Sequence, residues 1–86
     1  MALAAAACAS EPPPGAELAA ARLSVDHAGA AVQYAPAELS NAQTKLKLAE
    51  AAAARGDNLH ARRLAEQAEV DARLAWAIAV NERLRP

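Results

Sequence analysis

The chain has 86 residues, a net charge of −1, 55% hydrophobic content, 2% aromatic content and one cysteine. One small domain fits that length. Interleaved acidic and basic residues exclude nucleic acid, which wants a basic face, and an anionic membrane surface as the main partner of the folded part. No apolar run approaches the roughly 20 residues of a membrane span, a lone cysteine cannot close an internal disulfide, and alanine supplies most of the apolar content, so the core must be thin.

Residues 1–15 stand apart in composition. Ala5-Ala6-Ala7-Cys8 places small residues immediately before the cysteine, as a lipobox does. Ala9 and Ser10 behind it resemble an outer-membrane sorting pattern. The position three before the cysteine is Ala5 rather than the usual leucine, no basic region precedes it, and the apolar stretch is too short for a complete leader. The expectation is a lipoprotein signal cut short, by a misplaced start or by truncation, with Cys8 as the lipidated residue; an incidental cysteine in an alanine-rich start is the plain alternative. Pro12-Pro13-Pro14-Gly15 then reads as a semi-rigid tether.

Residues 16–86 read as a helical bundle domain. The first helix is predicted over 16–34, with Glu17 in its first turn, where the helix dipole favours an anion. Gly29 falls inside it at a cost of about 1 kcal/mol relative to alanine, and marks either drift or a close helix contact. Pro36 suits a first helical position, since its fixed φ and missing N–H cost nothing there. The second helix runs from there to Arg55. Gly56 is suited to the left-handed residue past a helix end, and Asp57 to the N-cap of a third helix reaching Arg83.

Three runs at steps of three and four share one design: Leu18, Ala21, Val25, Ala28, Val32; Leu39, Ala42, Leu46, Ala49, Ala53; and Ala61, Ala65, Ala68, Ala72, Ala75, Ala79. Such steps put each run on one helix face. Folding back at Gly56-Asp57 matches Ala53 with Ala61, Ala49 with Ala65, Leu46 with Ala68, Ala42 with Ala72 and Leu39 with Ala75. Folding near Ala35-Pro36 matches Val32 with Leu39, Ala28 with Ala42, Val25 with Leu46, Ala21 with Ala49 and Leu18 with Ala53. Agreement at both turns specifies an all-α fold, an antiparallel helical hairpin or three-helix bundle with a close-packed alanine seam.

On the third helix, Arg62 and Glu66, and Glu69 and Arg73, are spaced to pair, each pair contributing a few tenths of a kcal/mol. Tyr34 and Trp76 both fall toward the Pro36 end, either capping the core or anchoring a partner. With the alanine stripe inward, Leu23, Leu48, Val70 and Leu74 point away, Ala77 extends the last pair, and Arg63 and Gln67 border it. Val70, Leu74 and Ala77 therefore either flank the core or form an oligomer or partner surface.

The stretch APAELSNAQTKLKLAEAAAARGDNLHARRLAEQAEVDARLAWAIA resembles a domain-of-unknown-function family of alanine-rich bacterial envelope proteins. The resemblance rests on Ala35-Pro36, Gly56-Asp57, the ladder Ala61-Ala65-Ala68-Ala72 and the pair Asp71-Ala72, and covers roughly residues 16–80. Members look like lipoproteins, and some carry an OmpA-like peptidoglycan-binding domain downstream, which is not expected within these residues. The resemblance implies an envelope location and no activity.

His27 and His60 belong to no Cys/His cluster, so no metal is assigned. Without a glycine-rich phosphate loop or a nucleophile beside a base, no catalytic residue and no cofactor is assigned. The expected function is a non-enzymatic envelope lipoprotein, periplasmic and anchored to the outer membrane through Cys8. It would act as a structural or protein-interaction module, binding a protein partner or a second copy of itself through Val70, Leu74 and Ala77. The alternative is a soluble helical adaptor that docks a partner helix against the third helix.

Overall fold

The computed structural model describes residues 11–85; Met1–Ser10, Cys8 among them, and Pro86 lie outside the described residues. The described chain is a three-helix bundle: α1 (Gly15–Ala28) with one 3-10 turn at Gly29–Ala31, α2 (Pro36–Ala54) and α3 (Asn58–Arg83). No strand occurs among the described residues. Consecutive helices run antiparallel, so α1 and α3 run parallel. α3 packs most extensively on α2 and next on α1, while α1 and α2 share the least.

That arrangement follows from the alanine ladder. Ala61, Ala65, Ala68, Ala72, Ala75 and Ala79 are all buried. A helix whose inner face carries only methyl groups can be approached closely on both flanks. Two clusters fill the space. Near the Gly56 end lie Leu18, Ala21, Ala49, Ala65 and Ala68. Toward the Pro36 end lie Val25, Ala28, Ala31, Ala35, Leu39, Ala42, Ala72, Ala75 and Ala79. Half-buried Leu46 packs against both. The levels of these clusters reproduce the register expected from both turns.

Two stripe positions move. Val32 is 58% exposed, and Ala31 and Ala35 are buried in its place. A 3-10 turn advances three residues per turn instead of 3.6, so after Ala28 the inward position comes round at Ala31, then Ala35. At the end of α2, Ala52 is buried and Ala53 only half-buried. Gly29 makes no close contact: it is exposed, and a Cβ built there would meet nothing within 4 Å.

The α2–α3 turn is built by Gly56 at φ 79°. The Asp57 N–H donates to the Ala52 carbonyl at 2.9 Å and the Gly56 N–H to the Ala53 carbonyl at 3.0 Å. These are the two bonds of a Schellman motif. A Cβ at Gly56 would also meet nothing within 4 Å, so the glycine answers to backbone conformation alone. Asp57 occupies the N-cap position but makes no side-chain cap bond. Its carboxylate lies 3.5 Å from His60 Nδ1 instead.

The proline stretch, expected as a spacer, is partly a docked segment. Pro14 is buried. Glu11 Oε1 lies 2.9 Å from Arg62 Nη1, and Asn58 Nδ2 donates to the Glu11 carbonyl at 3.0 Å. Arg62 thus pairs with Glu11 and not with Glu66. The other expected pair forms, Arg73 Nη2 donating to Glu69 Oε2 at 3.0 Å. Two further pairs cross between helices: Arg22 to Glu50 at 2.9 Å and Lys45 to Asp71 at 2.7 Å.

Candidate interaction surface

The ladder occupies one side of α3, so residues about half a turn away from it must face outward. Val70 is 62% exposed, Leu74 is 49% exposed and Ala77 is exposed. The structure therefore places all three together in one row on the outer side of α3, beyond the core. Leu84, exposed as well, continues the same spacing seven residues past Ala77.

Two open grooves flank this row. On the α2 side, a groove of about 310 Å³ is lined by Lys45, Arg63, Glu66, Gln67, Val70 and Asp71. The Lys45–Asp71 pair crosses its floor from helix to helix, so this groove is charged and Val70 is its apolar edge. On the α1 side, a groove of about 450 Å³ is lined by Leu23, Ser24, His27, Ala72, Arg73 and Trp76. Here Leu23, Ala72 and Trp76 supply the apolar part of the lining, and Leu23 stands 72% exposed.

Trp76 gives the second groove its shape. Its ring centroid lies 4.2 Å from that of His27, with the planes tilted by 53°, and the Arg83 guanidinium carbon lies 5.7 Å from the ring centroid. The two rings are in direct contact, and the Arg83 distance lies within the roughly 6 Å reach of a cation–π contact. The indole is thereby held on the α1–α3 flank. Tyr34 behaves differently: it packs against the core cluster at the Pro36 end. Of the two rings, only Tyr34 caps the core.

The His27–Trp76 contact escaped the sequence reading, although its signal was present. The register sets Val25 and Ala28 beside Ala72 and Ala75, and His27 and Trp76 are each the next position outward on adjoining flanks.

Among the described residues, no group of three or more His, Cys, Asp or Glu is placed to hold a metal ion. No described helix is long and apolar enough to cross a membrane. The cysteine expected to carry a lipid, Cys8, lies outside the described residues.

The profile of a family described as a domain of unknown function, DUF4398, matches residues 16–85. The chain belongs to the DUF4398 family. The match begins one residue into α1 and runs past the end of α3, so the DUF4398 domain and the three-helix bundle are the same unit. No curated protein and no solved structure matches the chain.

Proposed function

We propose that this DUF4398 domain is a non-enzymatic structural or protein-interaction module of the bacterial cell envelope, held at the outer membrane on its periplasmic side by a lipid on Cys8. The observation that carries the interaction reading is the exposed row Val70, Leu74 and Ala77 on a helix whose opposite face is entirely alanine. Contiguous exposed apolar residues mark contacts more often than isolated ones do. A core poor in large side chains also leaves a small domain with reason to associate. The 3-4 spacing of the row suits another helix, whose own apolar face would lie along α3.

Lysine at both Val70 and Leu74 tests the surface. Both side chains are largely solvated, so folding should change by about 0.5 kcal/mol or less per site. We expect the double variant to keep its helical circular dichroism and its thermal midpoint. Sedimentation and cross-linking should show that it has lost the association that the parent chain makes. A double variant that unfolds, or one that associates as the parent does, would contradict the proposal.

The anchoring half rests on Ala5-Ala6-Ala7-Cys8-Ala9-Ser10. Expression behind a bacterial lipoprotein leader, followed by mass analysis of the membrane fraction, should find the chain cleaved before Cys8 and diacylated or triacylated there. An uncleaved, unmodified cysteine in the soluble fraction instead favours the soluble adaptor docking a partner helix on α3.

A further inference from the structure

We infer that the α1–α3 groove at Trp76 receives an acidic amphipathic helix of a protein partner, with one apolar side chain seated on the indole and one carboxylate on Arg83. The inference rests on the interaction reading above and names the partner's chemistry. The two grooves beside α3 differ in charge. On the α2 side, Lys45 and Arg63 stand with Glu66 and Asp71, and Lys45 and Asp71 are already paired. That groove is balanced within itself. On the α1 side, the lining contains no carboxylate. Arg73 is held by Glu69, one turn back on α3. Arg83 lies against the Trp76 ring and, among the described residues, pairs with no carboxylate. A guanidinium thus stands without a counter-charge beside the groove, in a chain whose net charge is −1.

A guanidinium placed against an aromatic face keeps its N–H fork open, and that fork matches a carboxylate in bidentate fashion. Tryptophan and arginine are also the side chains on which protein interfaces most often depend. Trp76 is half-buried and Leu23, which shares the groove, is 72% exposed, so an incoming apolar side chain meets apolar surface that the bundle leaves uncovered. Leu74 and Ala77 are the sequence neighbours of Arg73 and Trp76. A helix laid on the outer row therefore presents its flank to the groove, as helices do when they dock along apolar grooves. The spacing on that flank follows from the site. The Arg83 guanidinium carbon lies 5.7 Å from the indole centroid, close to the roughly 5.4 Å of one helical turn. An acid one turn from an apolar residue meets both.

Two aromatic-free amphipathic helical peptides serve as probes, identical except that glutamates beside the apolar face of one are glutamines in the other. The chain has one tryptophan, so its emission reports on the groove directly. The glutamate peptide should shift Trp76 emission to the blue and shield it from acrylamide. Calorimetry should give that peptide about five-fold or more affinity over the glutamine peptide, the size of an exposed charge pair. Arg83→Gln should remove the preference and Arg83→Lys should keep part of it. Arg55→Gln, an equal loss of charge at an exposed site outside the groove, should leave it intact. Circular dichroism checks that each variant is folded. Equal affinity for the two peptides, an unchanged Trp76 emission, or a preference that survives Arg83→Gln overturns the inference. So does a blue shift on concentrating the chain alone, which would make a second copy the occupant, or one produced by phosphatidylglycerol vesicles and not by the peptide, which would make it a membrane surface. Val70→Ser with Leu74→Ser reads the outer row separately. Binding lost in the serine pair but indifferent to Arg83→Gln keeps the row and defeats the groove, whereas binding weakened by Arg83→Gln and untouched by the serine pair keeps the groove and defeats the row.

Discussion

Replacing Ala68 with leucine should destabilise the bundle by about 1–3 kcal/mol, a fall in the thermal midpoint of roughly 4–8 °C for each kcal/mol. Ala68 is fully buried in the cluster that brings Leu18, Ala21, Ala49 and Ala65 together. Every helix contributes to that level, and most of the contacts are methyl on methyl. Three added carbons have nowhere to go unless the helix axes separate, and separation would loosen the rest of the ladder. Ala54, exposed at the end of α2, is the control. Ala54→Leu should shift the midpoint by no more than a degree or two, since leucine and alanine differ little in helix propensity. Thermal melts of the two variants decide the matter; equal tolerance would mean that the seam is not where the structure places it.

The seam was legible in the sequence because alanine is informative in context. A lone alanine carries no direction, but six at helical spacing opposite Arg63, Glu66, Gln67 and Arg73 leave one face to bury. Gly56 and Pro36 then located the turns, through a left-handed residue that only glycine adopts cheaply and through a ring that suits a first helical turn. What periodicity could not resolve was its own phase where the winding changes. Nothing in Gly29-Ala30-Ala31-Val32 announces a 3-10 turn, and by bulk alone Val32 was the better core candidate than Ala31. Ala52 and Ala53 are identical side chains, so only the geometry of the helix end chooses between them. Long-range polar partners were also out of reach. Arg62 has a correctly spaced Glu66 on its own helix, yet a local pair is worth only a few tenths of a kcal/mol, and a docked segment 51 residues away in sequence displaces it.

The outer row shows a different limit. Its membership could be read, since Val70, Leu74 and Ala77 lie about half a turn from the ladder. Whether they flanked the core could not, because that depends on how far α1 and α2 wrap around α3. The structure shows that they wrap little, being in contact chiefly with α3's alanine side. The same shallow wrapping opens the two grooves and leaves Leu23 exposed in the lining of one of them.

Removing bulk should matter even more than adding it. Among the described residues, Leu18, Val25 and Leu39 are, apart from Pro14, the only buried side chains larger than alanine's, and Leu39 is the most deeply buried of the three. Leu39→Ala should lower the unfolding free energy by about 2–5 kcal/mol, toward the upper part of that range for a specific reason. The relaxation that softens such a substitution comes from neighbouring side chains swinging into the space. Leu39's cluster is alanine apart from Val25, with Tyr34, Leu46 and Ile78 packed against it, and alanine has no rotamer with which to move. A domain of this size has about 4–13 kcal/mol of stability in total, so the variant should be close to unfolding at physiological temperature. Urea denaturation should show a lower midpoint with the slope unchanged. Leu39→Met, which conserves volume, should cost less than about 1.5 kcal/mol, and Leu48→Ala, on the exposed side of the same helix, less than about 1 kcal/mol. A Leu39→Ala variant no less stable than Leu48→Ala would show that the Pro36 end of the bundle is held by something other than this one leucine among alanines.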